Sequence, residues 1–423
     1  MKIYIFSAIL ILLISYVLFR ETDIYNIVKL DSIGTGAMCL DGSDYQFYLQ
    51  KGFGDGVDKL VFFFDGGGWC SSKTYNSTLE SCYQRSFTYL GSSDYGILQK
   101  IRNFFGKTLL VKRIMPFLSS DSNSNPTFYN WNKVFLSYCD GRGYVGFNDE
   151  PIHHNNKKLY FRGYNNTLGA LNYVKNNFPK LTNVIISGIS AGGLASFYYS
   201  NFISEYFHKD NLKVDIKSIT DSGFMLDVPN EKNTKYNFGI VWKDLLDHTK
   251  PTLPPVLDCE EKEKWKCFLP EYFYHKINIP VFILHSQYDT YAVCHLFGSC
   301  ERSLTKYTFN NIDDKTKLAA EKNRLKILDI FRKILLTKKD WVIFSPSCFI
   351  HDFLAYSLHF DKTLMIKGKT IKESLASWMK RDESENNVLD YIDDAPWPSN
   401  KSCWNYNDFL HYLQYFNILV DIF

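Results

Sequence analysis

The sequence is poor in the features that mark a metal-binding, a nucleic-acid-binding or a multidomain protein. None of its ten cysteines stands in paired CxxC spacing, and no histidines fall at short regular intervals, so a structural zinc has no ligand set. Neither sign of charge is in excess. Lys and Arg number 48 against 45 Asp and Glu, for a net charge of +3, and the basic residues are dispersed among acids. That excludes a polybasic face for nucleic acid or an anionic surface. No linker divides the chain, and no small-x-small cleavage site follows its apolar N-terminus.

That N-terminus carries Lys2, then an uncharged apolar stretch over residues 3–19, then Arg20 and Glu21. Residues 1–20 read as a signal peptide or an uncleaved signal anchor, the stretch being at the lower limit for spanning a bilayer. The reading is a secreted protein or one in the lumen of the secretory pathway, the alternative being membrane attachment by residues 3–19. Ten cysteines behind such a segment imply an oxidising compartment and a disulfide framework. Spacing suggests local bridges Cys70 with Cys82, Cys259 with Cys267 and Cys294 with Cys300, and longer ones Cys39 with Cys139 and Cys348 with Cys403, without settling the connectivity. Sequons at Asn76, Asn165 and Asn400 suit the same compartment.

Candidate strands cover residues 59–64, 108–111, 133–138, 183–187, 216–220, 280–285 and 341–344. Most are continuous apolar runs, as in a parallel sheet buried on both faces. Candidate helices cover residues 164–178, 192–207 and 316–337, the last with Leu318, Leu325, Leu328, Phe331 and Leu335 on a core-facing stripe. This alternation predicts a doubly wound, mostly parallel α/β sheet with helices on both faces, residues 31–423 forming one domain.

The chemistry centres on SGISAGG, from Ser187 to Gly193, between an apolar strand and a helix. A sharp strand-to-helix turn holds a central serine proud of the sheet and tolerates only small neighbours. Gly188, Ala191, Gly192 and Gly193 meet that demand, with Ser190 as nucleophile and the Ala191 amide facing an oxyanion. A glycine-serine loop without chemistry would read alike over five residues, so the other groups must be found. The loop DGGGWC, from Asp65 to Cys70, follows the first apolar strand, where α/β-hydrolases place the second oxyanion donor. The acid comes from a later strand end, either Asp221 or Asp289, with Asp289 favoured because the strand before it is stronger. The base comes last: His351 follows the final apolar strand, whereas His285, at a strand end, reads as a supporting residue.

These blocks resemble the pectin acetylesterase and Notum family of secreted carboxylesterases. From Cys39 to Cys403 the resemblance runs through CLDGS at Cys39, DGGGWC, YCDG at Tyr138, LYFRG at Leu159, SGISAGGLA, TDSGF at Thr220, SCFIH at Ser347 and Trp397-Pro398. It implies an α/β-hydrolase fold, no cofactor, and the roles Ser190 nucleophile, Asp289 acid and His351 base, with oxyanion amides from Gly67, Gly68 and Ala191. The substrate it implies is an acylated polysaccharide or an acylated protein. The family usually has glutamate where this chain has Asp65, and a further cysteine pair that residues 394–399 lack. The expected function is a serine carboxylesterase removing O-acetyl from a polysaccharide, the alternatives being a Notum-like deacylase of a lipid-modified protein and a non-catalytic glycan-binding member of the fold.

Overall fold

Val61 and Phe63 point to one side of strand Lys59–Phe64, and Leu60, Phe62 and Phe64 to the other, yet all five are fully buried. The two sets belong to separate apolar clusters, one on each face of the sheet. An unbroken apolar run is what a strand covered on both faces requires. The computed structural model describes residues 23–71, 77–94, 108–111, 115–209, 213–228, 238–249, 253–257, 259–293, 313–355, 358–381 and 389–403.

Strands β1 (Asp23–Lys29), β2 (Gln46–Gln50), β3 (Lys59–Phe64), β4 (Thr108–Val111), β5 (Asn132–Leu136), β8 (Asn183–Ile189), β9 (Asp215–Asp221), β10 (Val281–Leu284), β11 (Val342–Ser345) and β12 (Asp390–Ile392) form one ten-stranded sheet. Ile152–His154 and Lys157–Leu159, β6 and β7, make a separate hairpin. The large sheet runs β12-β11-β10-β9-β8-β3-β5-β2-β1-β4. From β12 to β5 every pairing is parallel. From β5 outward through β2, β1 and β4 each is antiparallel. Order reverses around β3 and β8, and the crevice beyond the carboxyl ends of strands at such a reversal is where this class of sheet places ligands.

The longer helices are α1 (Thr78–Arg85), α2 (Gly163–Asn177), α3 (Ala191–His208), α4 (Phe238–Thr249), α5 (Asp314–Thr337) and α6 (Ile371–Met379). Two expectations are corrected here. Residues 108–111 form a strand, but an antiparallel one at the sheet's edge. In α5 the stripe is rotated: Leu328, Phe331 and Leu335 are buried, while Leu318 and Leu325 are 50% and 56% exposed. Ala319, Ala320 and the Arg324 stem take the inner positions, because Arg324 is drawn under the helix by hydrogen bonds to Gln287 Oε1 and the Asp394 carbonyl.

Four disulfides join described residues: Cys39–Cys139, Cys70–Cys82, Cys259–Cys267 and Cys348–Cys403. Cys294 and Cys300, Asn76 and residues 1–20 lie outside the described residues. Among the described residues no helix is long and apolar enough to cross a membrane. Asn400 Nδ2 donates to Met365 O at 3.1 Å and to Asp393 Oδ2 at 2.7 Å.

Candidate active site

Ser190 lies between β8 and α3, as the residue before the helix, with φ 55° and ψ −119°, a conformation that costs a non-glycine residue on the order of 1–3 kcal/mol. Two backbone hydrogen bonds hold it there: Ser190 N donates to Asp221 O at 2.8 Å, and Leu194 N donates to Ser190 O at 2.9 Å. The glycines around it answer to close packing. A Cβ on Gly188 would stand 2.3 Å from Gly192 O, one on Gly192 2.1 Å from Phe64 O, and one on Gly193 2.1 Å from Asp221 O. Small residues are therefore required where α3 crosses the ends of β3 and β9.

His351 lies on the loop after β11. Its Nε2 is 2.8 Å from Ser190 Oγ and its Nδ1 is 2.6 Å from Asp289 Oδ2, so the structure brings all three together. Asp289 is fully buried after β10 and accepts the Ala292 N–H at 2.9 Å. Burial alone would raise its pKa. The charge and hydrogen bond of His351 outweigh that and hold the carboxyl below its ordinary range. For His351 burial opposes the charged ring, but Asp289, Asp352 and Asp221 raise its pKa to about 10. His285, buried beside them, is pushed down to about 4 by desolvation and stays neutral.

Asp221, the other candidate acid, serves the same loop in another way. Its Oδ2 accepts the N–H groups of Phe353 and Leu354, each at 2.7 Å, and its Oδ1 accepts from Ser222 Oγ at 2.8 Å. It fixes the segment that presents His351 and makes no hydrogen bond to the ring. Desolvation first, then the charge of Asp352, lifts it to about 8.

Gly67 and Gly68 line a cleft of about 480 Å³ together with Ser190, His351, Asp65 and Trp69. Gly67 has φ 145° and Gly68 φ 61°, backbone states that suit glycine. Arg85 Nη2 donates to Gly67 O at 2.6 Å, and its guanidinium lies over the Tyr138 ring, fixing the loop from beneath. Ala191 is the first residue of α3, where a helix leaves its N–H without an intrahelical partner. Asp65 Oδ1 accepts from Gly66 N at 2.8 Å, and burial raises this carboxyl to about 7.

Three groups in the cleft escaped the sequence reading. Asp352 adjoins His351 and places Oδ1 3.4 Å from Nε2. Tyr291 stacks on the imidazole at 5.6 Å between centroids, and Tyr89 reaches the mouth of the cleft from the other end of the chain. For Asp352 its position next to the histidine was a usable signal; the two tyrosines offered none. Among the described residues no cluster of His, Cys, Asp or Glu could hold a metal ion.

Comparison with known proteins identifies the family and the fold. Residues 20–404 match the family model for pectinacetylesterase. Pectin acetylesterase 5 of Arabidopsis thaliana is 29% identical over 399 residues, covering 90% of this chain and 85% of its own. A palmitoleoyl-protein carboxylesterase of Danio rerio is 24% identical, covering 87% and 70% respectively. Among solved structures, the Wnt deacylase Notum from Drosophila superposes with a TM-score of 0.71 at 18% identity, over 90% of this chain and 99% of that one. With its mostly parallel sheet and a family match over nearly its whole length, the chain belongs to the pectinacetylesterase family and is a carboxylesterase of α/β-hydrolase fold.

Proposed function

We propose that the protein is a serine hydrolase that removes short O-acyl groups, acetyl above all, from a polysaccharide. The observation that carries this is the relay from Asp289 Oδ2 through His351 to Ser190 Oγ, at 2.6 and 2.8 Å. Ser190 Oγ attacks the ester carbonyl carbon and its proton passes to His351 Nε2. Asp289 holds Nδ1–H, which fixes the tautomer and stabilises the imidazolium. Charge on the carbonyl oxygen is met by the amides of Gly67, Gly68 and Ala191, each such donor being worth about 3 kcal/mol in the transition state. Collapse expels the alcohol oxygen, which takes the proton from Nε2. Water then attacks the acyl-serine by the same route, releasing the acid and Ser190.

Aromatic packing favours a short acyl group. Behind Trp69, Trp242 and Phe238 fill the ground with ring centroids 5.0 and 5.8 Å away, and Phe238 also stacks on Tyr291. The relatives named for pectin acetylesterase activity fit this reading, and those named for palmitoleoyl-protein cleavage give the rival. Residues 1–20 are proposed to direct secretion, and the catalytic unit is proposed to begin before residue 31, since β1 at Asp23–Lys29 pairs with β2 and β4 within its sheet; disulfides among the described residues suit that setting.

Hydrolysis of p-nitrophenyl esters from acetyl to palmitoyl, with Ser190→Ala beside the wild type, tests the assignment. A Ser190-dependent rate falling with chain length is expected. A rate that holds or rises to octanoyl would replace it with the protein-deacylase reading.

A further inference from the structure

An ester held for attack by Ser190 Oγ sends its three groups in different directions. The carbonyl oxygen turns to the amides of the glycine loop, and the alcohol oxygen comes within reach of His351 Nε2 to take its proton. A polysaccharide acceptor is too large to be enclosed, so it leaves by the mouth of the cleft, where Tyr89 is 67% exposed. The acyl group then points inward.

What it meets there is the ring of Tyr291. That ring lines the cleft and stacks on the His351 imidazole, with centroids 5.6 Å apart and planes inclined by 27°. Its hydroxyl reaches toward the oxyanion loop, 3.6 Å from where a Cβ on Gly68 would stand. One side chain therefore spans the distance between the base and the oxyanion donors, beside the nucleophile. The ring is backed and cannot swing inward. Phe238, itself buried, stacks behind it at 6.2 Å, and Trp69 meets it edge-on at 5.9 Å. Its backbone is pinned as well, because the turn that carries it is tied to the buried acid: Ala292 N donates to Asp289 Oδ1 and Val293 N to Asp289 O, each at 2.9 Å. A chain longer than acetyl would have to displace a packed ring, and forcing extra methylenes into a well-packed site is unfavourable.

We infer that Tyr291 is the specificity-determining residue of the acyl subsite, its ring acting as the stop that admits acetyl and blocks longer chains. This deepens the short-acyl reading and rests on it, and on Ser190 as the nucleophile.

The test is kcat/KM on p-nitrophenyl acetate, butyrate and octanoate for the wild type, Tyr291→Ala, Tyr291→Val and Tyr291→Phe, with thermal unfolding to show that each variant is folded. Loss of the stack on His351 acts on every ester alike, and the leaving group is constant, so the octanoate-to-acetate ratio reports the acyl subsite. Ala and Val should each raise that ratio by about tenfold or more, since room for several methylenes is gained. They leave different volumes, so a site that collapses around one is read in the other. Phe keeps the ring and should leave the ratio near that of the wild type. An unchanged ratio in both folded small variants, or a Phe variant that takes octanoate as Ala does, overturns the inference while the short-acyl reading stands on the wild-type profile. A wild type that takes octanoate as readily as acetate sinks both, and no Ser190-dependent hydrolysis sinks the nucleophile assignment beneath them.

Discussion

His351 sits among more negative charge than its task alone requires. Asp289 meets Nδ1, Asp352 approaches Nε2, Asp221 lies behind the loop, and neutral His285 adds no compensating cation. Only the neutral ring can accept the Ser190 proton, so kcat/KM should rise with pH as His351 loses its proton. Because the carboxylates lift that pKa to about 10, the rising limb should lie well alkaline of an ordinary histidine's. Removing one anion lowers the pKa, so Asp352→Asn should move the limb to lower pH by about one unit; an unmoved limb in the pH–rate profile would contradict the placement of that charge. Asp289→Asn leaves Nδ1 facing an amide and disturbs the tautomer, which should reduce kcat by roughly 10⁴-fold in steady-state assays. Ser190, Asp289 and His351 were legible because each follows an apolar strand in a fixed chain order. Arg85 was not, since nothing local links it to a carbonyl eighteen residues earlier.

Two elements decide whether those side chains meet. At the elbow, α3 passes so close to β3 that Gly192 has no room for a methyl group, with a Cβ placed 2.1 Å from Phe64 O. Gly192→Ala should therefore destabilise the fold by about 3 kcal/mol, measurable by urea unfolding. The loop after β11 depends on Asp221, whose loss leaves the buried amides of Phe353 and Leu354 unpaired. Asp221→Ala should cost roughly 1–3 kcal/mol per orphaned amide and lower kcat as His351 loosens. A drop in kcat without loss of stability would argue that Asp221 acts on the chemistry instead. Periodicity showed α5 but misplaced its inner face, because hydropathy treats Arg324 as outward-facing and cannot anticipate that Gln287 and the Asp394 carbonyl draw it inward. Strands β1 and β2 were missed for a related reason: DIYNIVK and QFYLQ mix polar and apolar residues, and the sheet's antiparallel wing supplies their partners.

Across the whole molecule, the parallel strands from β5 to β11 were readable from their apolar runs, as was β4 at the antiparallel edge, whereas β1, β2 and the short β12 were not. The wing is tied to the catalytic half by Cys39–Cys139, which closes a span of 100 residues. Replacing both by alanine should lower stability by roughly 2–5 kcal/mol in chemical denaturation, the loop-closure range for so long a span. The same variant should retain hydrolysis by its folded fraction, since neither cysteine lines the cleft. At this scale the central claim is that the sheet exists to hold one activated serine against one histidine. Labelling by a fluorophosphonate probe, with the adduct located by peptide mass spectrometry, tests it most directly. The account predicts a single adduct on Ser190, lost in Ser190→Ala and strongly slowed in a folded His351→Gln. Undiminished labelling of Ser190→Ala, or none in the folded wild type, would contradict it.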